Sequence, residues 1–305
     1  MATQKLNNGF VVETYPTTPA DFDIEKASEG ERSRYGLAKV PATSLALVQQ
    51  MLAIRKGLRY VEPEFKPRER ARKRLPHLEP DHGAETSSIW SGVVVFPPEK
   101  DKMDGVWGTW KMPQASLPSG AHSDIWYTAS TWVGIDGDDG SGDVVQMGCD
   151  ADVMKKDGST HHQFNPWWEW FPGGSFWLTS VPVTHGDELN CIVIAIGGHP
   201  TIALVQLVNL TQFSFSFFVI HPPHHTKFVG NCAEWIVEAL ETGPGGKPEL
   251  AEYTTVKYKN CGAHTLGDKD VKANSGTVID MINSGGSVIS KGKILGATGV
   301  EVKYV

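Results

Sequence analysis

Ser130-Thr-Trp-Val-Gly-Ile-Asp-Gly-Asp-Asp-Gly140 leads, two residues later, into Asp143-Val-Val-Gln-Met-Gly-Cys-Asp150. The first stretch reads as a strand that enters a Gly/Asp turn, because Thr, Trp, Val and Ile favour an extended, half-buried backbone and Gly-Asp clusters end it. The second reads as the strand leaving that turn. A period of two puts Val144, Gln146, Gly148 and Asp150 on one face and Val145, Met147 and Cys149 on the other. A Gln and an Asp sharing a face with Val and Gly is unusual. A buried amide needs partners, so this face either meets water in a cleft or carries a polar network.

The same texture continues outward on both sides. From Ile89 onward the chain is a series of short apolar runs between Gly, Pro, Asp and Asn turns: Trp90-Ser-Gly-Val-Val-Val-Phe96, Ser175-Phe-Trp-Leu-Thr-Ser-Val-Pro-Val183, Glu188-Leu-Asn-Cys-Ile-Val-Ile-Ala-Ile196 and Ile202-Ala-Leu-Val-Gln-Leu-Val208. Phe213, Phe215 and Phe217 alternate with serines, the mark of a half-buried strand. Many short strands at regular spacing, without βαβ alternation or repeats, predict an all-β antiparallel sandwich or barrel. Upstream the pattern differs. Residues 1–40 are polar, with little periodicity, and read as a loop or arm. A helix is expected over about 43–58, where Leu45, Leu47, Val48, Met51, Leu52 and Ile54 recur at helical spacing, with Thr43 or Ser44 as N-cap and Lys56 and Arg59 toward the C-terminal end. Residues 66–74, Lys-Pro-Arg-Glu-Arg-Ala-Arg-Lys-Arg, form a basic run whose plainest reading is a solvated linker. Sharper readings are an arm docked on the rest of the chain or a processing site at Lys73-Arg74. The chain thus divides into an N-terminal extension, 1–80, and a β-domain, 81–305.

The totals exclude several classes. Residues 1–80 hold 14 Lys and Arg against 10 Asp and Glu, and residues 81–305 hold 14 against 25. An acidic body is a poor nucleic-acid binder. No apolar run reaches the roughly 18–20 residues of a membrane helix. The first residues carry no apolar core of a secretory signal. Four cysteines, with no Cys-x-x-Cys pair, are too few for a disulfide scaffold in 305 residues and are read as buried thiols or one or two bridges.

Two further stretches carry chemistry. In Phe164-Asn-Pro-Trp-Trp-Glu-Trp-Phe-Pro172 a strand puts Trp167, Glu169 and Phe171 on one face and Trp168 and Trp170 on the other, with Glu169 on the wetter side, as in the wall of a cleft for an extended ligand. In Asn231-Cys-Ala-Glu-Trp-Ile-Val-Glu-Ala-Leu240 a strand puts Glu234, Ile236 and Glu238 on one face. Two carboxylates there point to acid/base work or a shared proton, and the plainer account is a solvated acidic face.

Together these stretches resemble the glutamic peptidases, the eqolisins of filamentous fungi. The family pattern Trp-Val-Gly-Ile-Asp-Gly-Asp is met in full by residues 132–138. The others stand here as Val145-Gln-Met-Gly-Cys-Asp150, Asn165-Pro-Trp-Trp-Glu-Trp-Phe-Pro172 and Asn231-Cys-Ala-Glu-Trp-Ile-Val-Glu238. Asn209-Leu-Thr211 and Lys257-Tyr-Lys-Asn-Cys261 resemble later segments, so the likeness runs from about residue 89 to 305. Four motifs in order are far more specific than any one. The resemblance implies a concanavalin-like antiparallel β-sandwich and an acid endopeptidase without cofactor or metal, acting on polypeptides. It implies Gln146 and Glu238 as the catalytic pair, with Asp136, Asp150, Asn165, Trp167, Glu169 and Trp90 as supporting or substrate-binding residues. The family's Asp before Ala-Trp is Asn165 here, followed by Pro166, which alters charge beside the cleft. The resemblance also implies secretion, although no signal is visible, and a precursor with a basic leader. A basic extension lying on the acidic body would be released as carboxylates take up protons.

Other motifs lead elsewhere. Asp136-Gly-Asp-Asp-Gly-Ser-Gly-Asp143 looks like a calcium loop but lacks the terminal Glu, and reads as a turn. His161-His162 and His221-Pro-Pro-His-His225 lack ligand spacing on fixed elements. Gly-x-Ser-x-Gly is absent, so no α/β-hydrolase elbow is expected. Two other classes stay open: a non-catalytic sandwich that binds sugar or peptide through Trp167, Trp168 and Trp170, and a glycosidase. For the latter, Glu234 and Glu238 on one strand stand too far apart, at about 13 Å.

Overall fold

Asp157-Gly158 joins the two longest strands, Val144–Lys156 and Ser159–Phe171, in a two-residue turn, with φ of 49° and 77°. Both residues in the left-handed region is the geometry whose twist suits a hairpin. A computed structural model describes residues 1–68, 79–81, 84–138, 142–196, 201–224, 226 and 228–305. The basic run beyond Arg68, the Lys73-Arg74 pair, His225 and the middle of the 136–143 turn lie outside the described residues.

Apart from the short pair Ala115–Ser116 and Glu252–Tyr253, the strands form two largely antiparallel sheets. In the front sheet the order is Phe65–Pro67, Gly174–Leu178, Ser159–Phe171, Val144–Lys156, Trp126–Ile135, Ala233–Glu238, Trp90–Val95 and Thr277–Ile282. The back sheet runs Ala2–Lys5, Val11–Thr14, Ser214–His221, Ile202–Asn209, Glu188–Ile196, Met103–Lys111 and Val256–Thr265. The strand Val256–Thr265 belongs to both, since its first residues pair with Val300–Tyr304 at the end of the front sheet. Alternate residues of both sheets meet in one core: Val133, Val145, Met147, Trp168, Trp170 and Trp235 from the front, Val193, Val205, Leu207 and Phe218 from the back. All four cysteines are buried free thiols.

The back sheet is covered on its other side too. Ile192, Ile194, Leu204, Phe215, Phe217 and Val219 form a second core with Ile24, Leu37, Leu47, Val48, Met51 and Leu52 of the N-terminal extension. Burying a side chain of this size contributes about 1.5–3 kcal/mol, so Leu47, Val48, Met51 and Leu52 alone contribute up to roughly 6–12 kcal/mol. That rivals the whole stability of an ordinary domain. The extension is therefore a structural layer. Its order runs further than composition indicates. Residues 1–40, expected as a loop or arm, hold a hairpin that extends the back sheet and a second helix, Glu29–Arg34, started by a capping box between Ser28 and Glu31. The main helix spans Leu45–Ile54, shorter than its apolar spacing predicts; a 3-10 turn, Ala42–Ser44, precedes it and Gly57 at φ 78° follows it. Phe213 is not part of the Phe-Ser alternation: it lies before the strand, 70% exposed, while Ser214 and Ser216 are buried with the phenylalanines.

A buried polar chain ties the helix to the sheet. Ser44 takes the N-cap position, one of the two residues expected there, but makes no side-chain capping bond: its hydroxyl donates to Asp104 at 2.6 Å, and Asp104 pairs with His264 Nδ1 at 2.7 Å. Burial pulls the His264 pKa down, but the hydrogen bond and charge of Asp104, together with Asp268, outweigh it and leave the pKa raised. A proton held more tightly in the folded state stabilises that state at low pH. The contribution is full below the unfolded histidine's value of about 6.5 and is lost as pH rises through the higher folded value. Thermal unfolding of the parent should therefore show Tm falling as pH rises above about 6.5, with the fall reduced in His264→Gln. Equal slopes for the two proteins would contradict this.

Candidate active site

Cross-strand register builds the site. On one face of the front sheet, Ser130 stands opposite Glu238 on one side and Asp150 on the other. Trp132 stands opposite Ile236 and Gly148, and Gly134 opposite Glu234 and Gln146. The next strand continues the rows, with Glu169 opposite Gln146, Trp167 opposite Gly148 and Asn165 opposite Asp150. On the outer side Trp90 is opposite Glu238, and Trp177 is opposite Trp167. Directly opposed residues point to the same face, so side chains from six strands converge here.

Glycine makes room for the central ring. A Cβ on Gly148 would fall 2.2 Å from the Thr131 carbonyl oxygen and 2.5 Å from Trp132 Cβ. One on Gly134 would meet the Trp132 ring at 2.8 Å, Glu234 Oε1 at 3.0 Å and Gln146 Cβ at 3.1 Å. Trp132 thus lies flat in the middle of the site, backed edge-to-face by Trp90 at 5.0 Å. Its Nε1 donates to Glu238 Oε2 at 3.0 Å. Gln146 Nε2 donates to Glu169 Oε2 at 2.7 Å. Gln146 and Glu238 are two strands apart and four residues out of step, roughly 16 Å between Cα atoms, with Trp132 on the diagonal between them.

The site is filled by the protein's own chain. Arg68 is buried on this face, with Nη2 at 2.5 Å and Nε at 3.1 Å from the two Asp150 oxygens. Nη2 also reaches Ser130 Oγ at 3.2 Å, and the guanidinium lies 3.9 Å over the Trp167 ring. Burial opposes the charge on Arg68, but the surrounding carboxylates of Asp150, Glu169 and Glu238 prevail and hold its pKa above the ordinary value. The approach is fixed by Phe65–Pro67, which pairs with Gly174–Leu178, and by Phe65, whose ring packs on Phe218 at 4.8 Å. The basic run is thus no solvated linker at Arg68.

The predicted site residues divide into three groups. Gln146, Glu238, Asp150, Trp167 and Glu169 share the face, all almost fully buried. Asn165 is at its margin, half-buried and bonded to Gln163, and Trp90 backs Trp132 from within a buried cluster. Asp136 stands off the face: it accepts the backbone N–H groups of Val229, Gly230 and Asn231 at 2.8, 3.0 and 2.7 Å, fixing the loop that enters the Glu238 strand. Burial raises its pKa despite those three donors. Sequence reasoning missed three participants. Ser130 and Trp132 follow from the same period of two that found Gln146; Arg68 has no local signal beyond charge. Trp168 and Trp170 point into the core between the sheets, so a ligand-binding role for those two rings is ruled out.

The chain is similar to known peptidases. The Peptidase A4 family model matches residues 88–304. Aspergillopepsin-2 of Aspergillus niger is 29% identical over 263 residues, 82% of this chain and 88% of that protein. Among solved structures, scytalido-glutamic peptidase with a transition state analog inhibitor superposes with a TM-score of 0.59 at 24% identity, over 72% of this chain and 98% of that one. Aspergilloglutamic peptidase from Aspergillus niger gives 0.50 at 28% identity, over 59% and 99%.

The packing around Trp132 can be tested directly. Gly148→Ala forces a methyl group against a backbone carbonyl, and such overpacking costs about 1–3 kcal/mol or more. Urea unfolding should show that loss as a lower midpoint at unchanged slope. A parental midpoint would mean that the strand shifts freely and Trp132 is not fixed by it.

Proposed function

The chain belongs to the Peptidase A4 family and is a glutamic endopeptidase, and we propose that Glu238 and Gln146 are its catalytic pair. Glu238, oriented by the indole N–H of Trp132, takes a proton from water through its other oxygen. The water oxygen attacks the peptide carbonyl carbon, and the carbonyl becomes a tetrahedral oxyanion. Gln146 supports that oxyanion with an amide N–H, its amide turned by the bond to Glu169. The protonated Glu238 then gives its proton to the leaving nitrogen as the C–N bond breaks. Asp150, Trp167 and Glu169 form the substrate-side wall, with Asn165 at its rim; Trp90 and Asp136 act by holding Trp132 and the 229–231 loop. The observation that carries the reading is the shared face: acid, amide and their orienting partners project from one face of four adjacent strands.

Residues 1–80 act in this reading as a prosegment-like extension to the peptidase domain, 81–305. Its main part covers the back sheet, and its strap, 61–68, keeps the enzyme latent by seating Arg68 on Asp150 where an extended polypeptide would lie. Breaking a buried ion pair from one side costs roughly 3–5 kcal/mol, more than the few backbone bonds of the strap are worth, so Arg68 is the latch.

Cleavage of an unfolded protein substrate between about pH 2 and 5, insensitive to pepstatin, tests the pair. Glu238→Gln should abolish it, and Gln146→Ala should lower kcat by about 10²–10³. Full activity in Glu238→Gln would overturn the assignment. In the full-length chain Arg68→Ala should raise the initial rate at least about tenfold; a rate equal to the parent's would remove the latch while leaving the pair untouched.

A further inference from the structure

A cavity of about 250 Å³ opens where the extension meets the outer face of the back sheet, on the far side of the sandwich from Gln146. Phe22, Leu52, Leu58 and Phe215 make its walls apolar, and Thr18, Arg55, Lys56 and Tyr60 also line it. Arg55 is only 5% exposed. Its guanidinium lies over two rings, 4.7 Å from Phe217 and 5.2 Å from Phe215. Its polar contacts are long and neutral: Nη1 to Gln206 Oε1 at 3.4 Å and Nη2 to Thr18 Oγ1 at 3.5 Å. Among the described residues no carboxylate pairs with it. The contrast with Arg68 is direct: equally buried, Arg68 grips both oxygens of Asp150.

A guanidinium presents five donors in a planar fork that matches a carboxylate, and buried charges are normally paired. Burial lowers the Arg55 pKa to about 10, which leaves it charged at acid and neutral pH. The Tyr60 hydroxyl is also buried without a hydrogen-bond partner. Lys56 adds a second positive charge to the lining. A ligand that satisfies such a site carries an anionic fork-matching head and an apolar body. We propose that this cavity binds a small organic carboxylate, its carboxylate on the Arg55 fork and its apolar part against Phe22, Leu52 and Phe215.

Thermal unfolding of the full-length protein with millimolar benzoate, neutral benzamide or inorganic phosphate tests this. Benzoate should raise Tm by about 2–4 °C, with benzamide and phosphate giving much less. Arg55→Met should abolish the benzoate shift. Because that change also alters a buried group, Ala53→Trp gives a second test: Ala53 is exposed and lines the cavity, so the new ring should block entry without touching Arg55, and the shift should again vanish. No shift with benzoate, an equal shift with benzamide or phosphate, or a shift that survives both substitutions would overturn the proposal.

Discussion

Every feature of the site depends on one register. Gly134, Gln146 and Glu234 stand in one row, and Ser130, Asp150 and Glu238 in another, because the three strands that carry them pair without a bulge. A slip of one residue in any of them would turn its polar set into the core and its valines into the cleft. Trp132 helps to lock the register, since its side chain fits only where its own strand presents Gly134 and the neighbouring strand presents Gly148. The same indole holds the carboxylate of Glu238, the acid of the proposed pair. Packing and function share one constraint.

The second organising fact is that the central strands of the back sheet, Glu188–Ile196, Ile202–Asn209 and Ser214–His221, are buried on both faces. Apolar runs such as Leu189-Asn-Cys-Ile-Val-Ile-Ala-Ile196 alternate between two cores, one shared with the front sheet and one with the extension. A sheet buried on both sides needs a permanent cover, and the main part of the extension supplies it. The strap is different in kind. It is short, lies at a sheet edge, and holds to the rest of the protein through the contacts of Arg68 with Asp150, Ser130 and Trp167, the Phe65 ring and a few backbone bonds.

Much of this was legible beforehand. The period of two in 144–150, 165–171 and 234–238 identified the cleft face, because side-chain alternation is fixed by strand geometry and needs no tertiary knowledge. Trp132 and Ser130 lie in the same pattern. The capping box at Ser28 and Glu31 was likewise readable, as were the continuous apolar runs that signal burial on two sides. The destination of Arg68 was not. Charge in a basic run looks alike whether it faces water or a carboxylate 82 residues away in sequence, and only the folded arrangement distinguishes them. The role of Asp136 was hidden for the same reason: its partners are backbone amides of a distant loop.

The attachment of Arg59–Tyr60 to the edge of the back sheet has a consequence for how the cleft is vacated. The strap begins immediately after that attachment, so its basic end cannot diffuse away while the cover stays docked. A single backbone scission beyond Arg68 would leave the guanidinium tethered within a few residues of its seat, at an effective concentration far above that of any free peptide. If the strap is the latch proposed above, its inhibition is competitive and reversible rather than all-or-none: an abundant or tightly held substrate displaces the tether, and a scarce one waits outside.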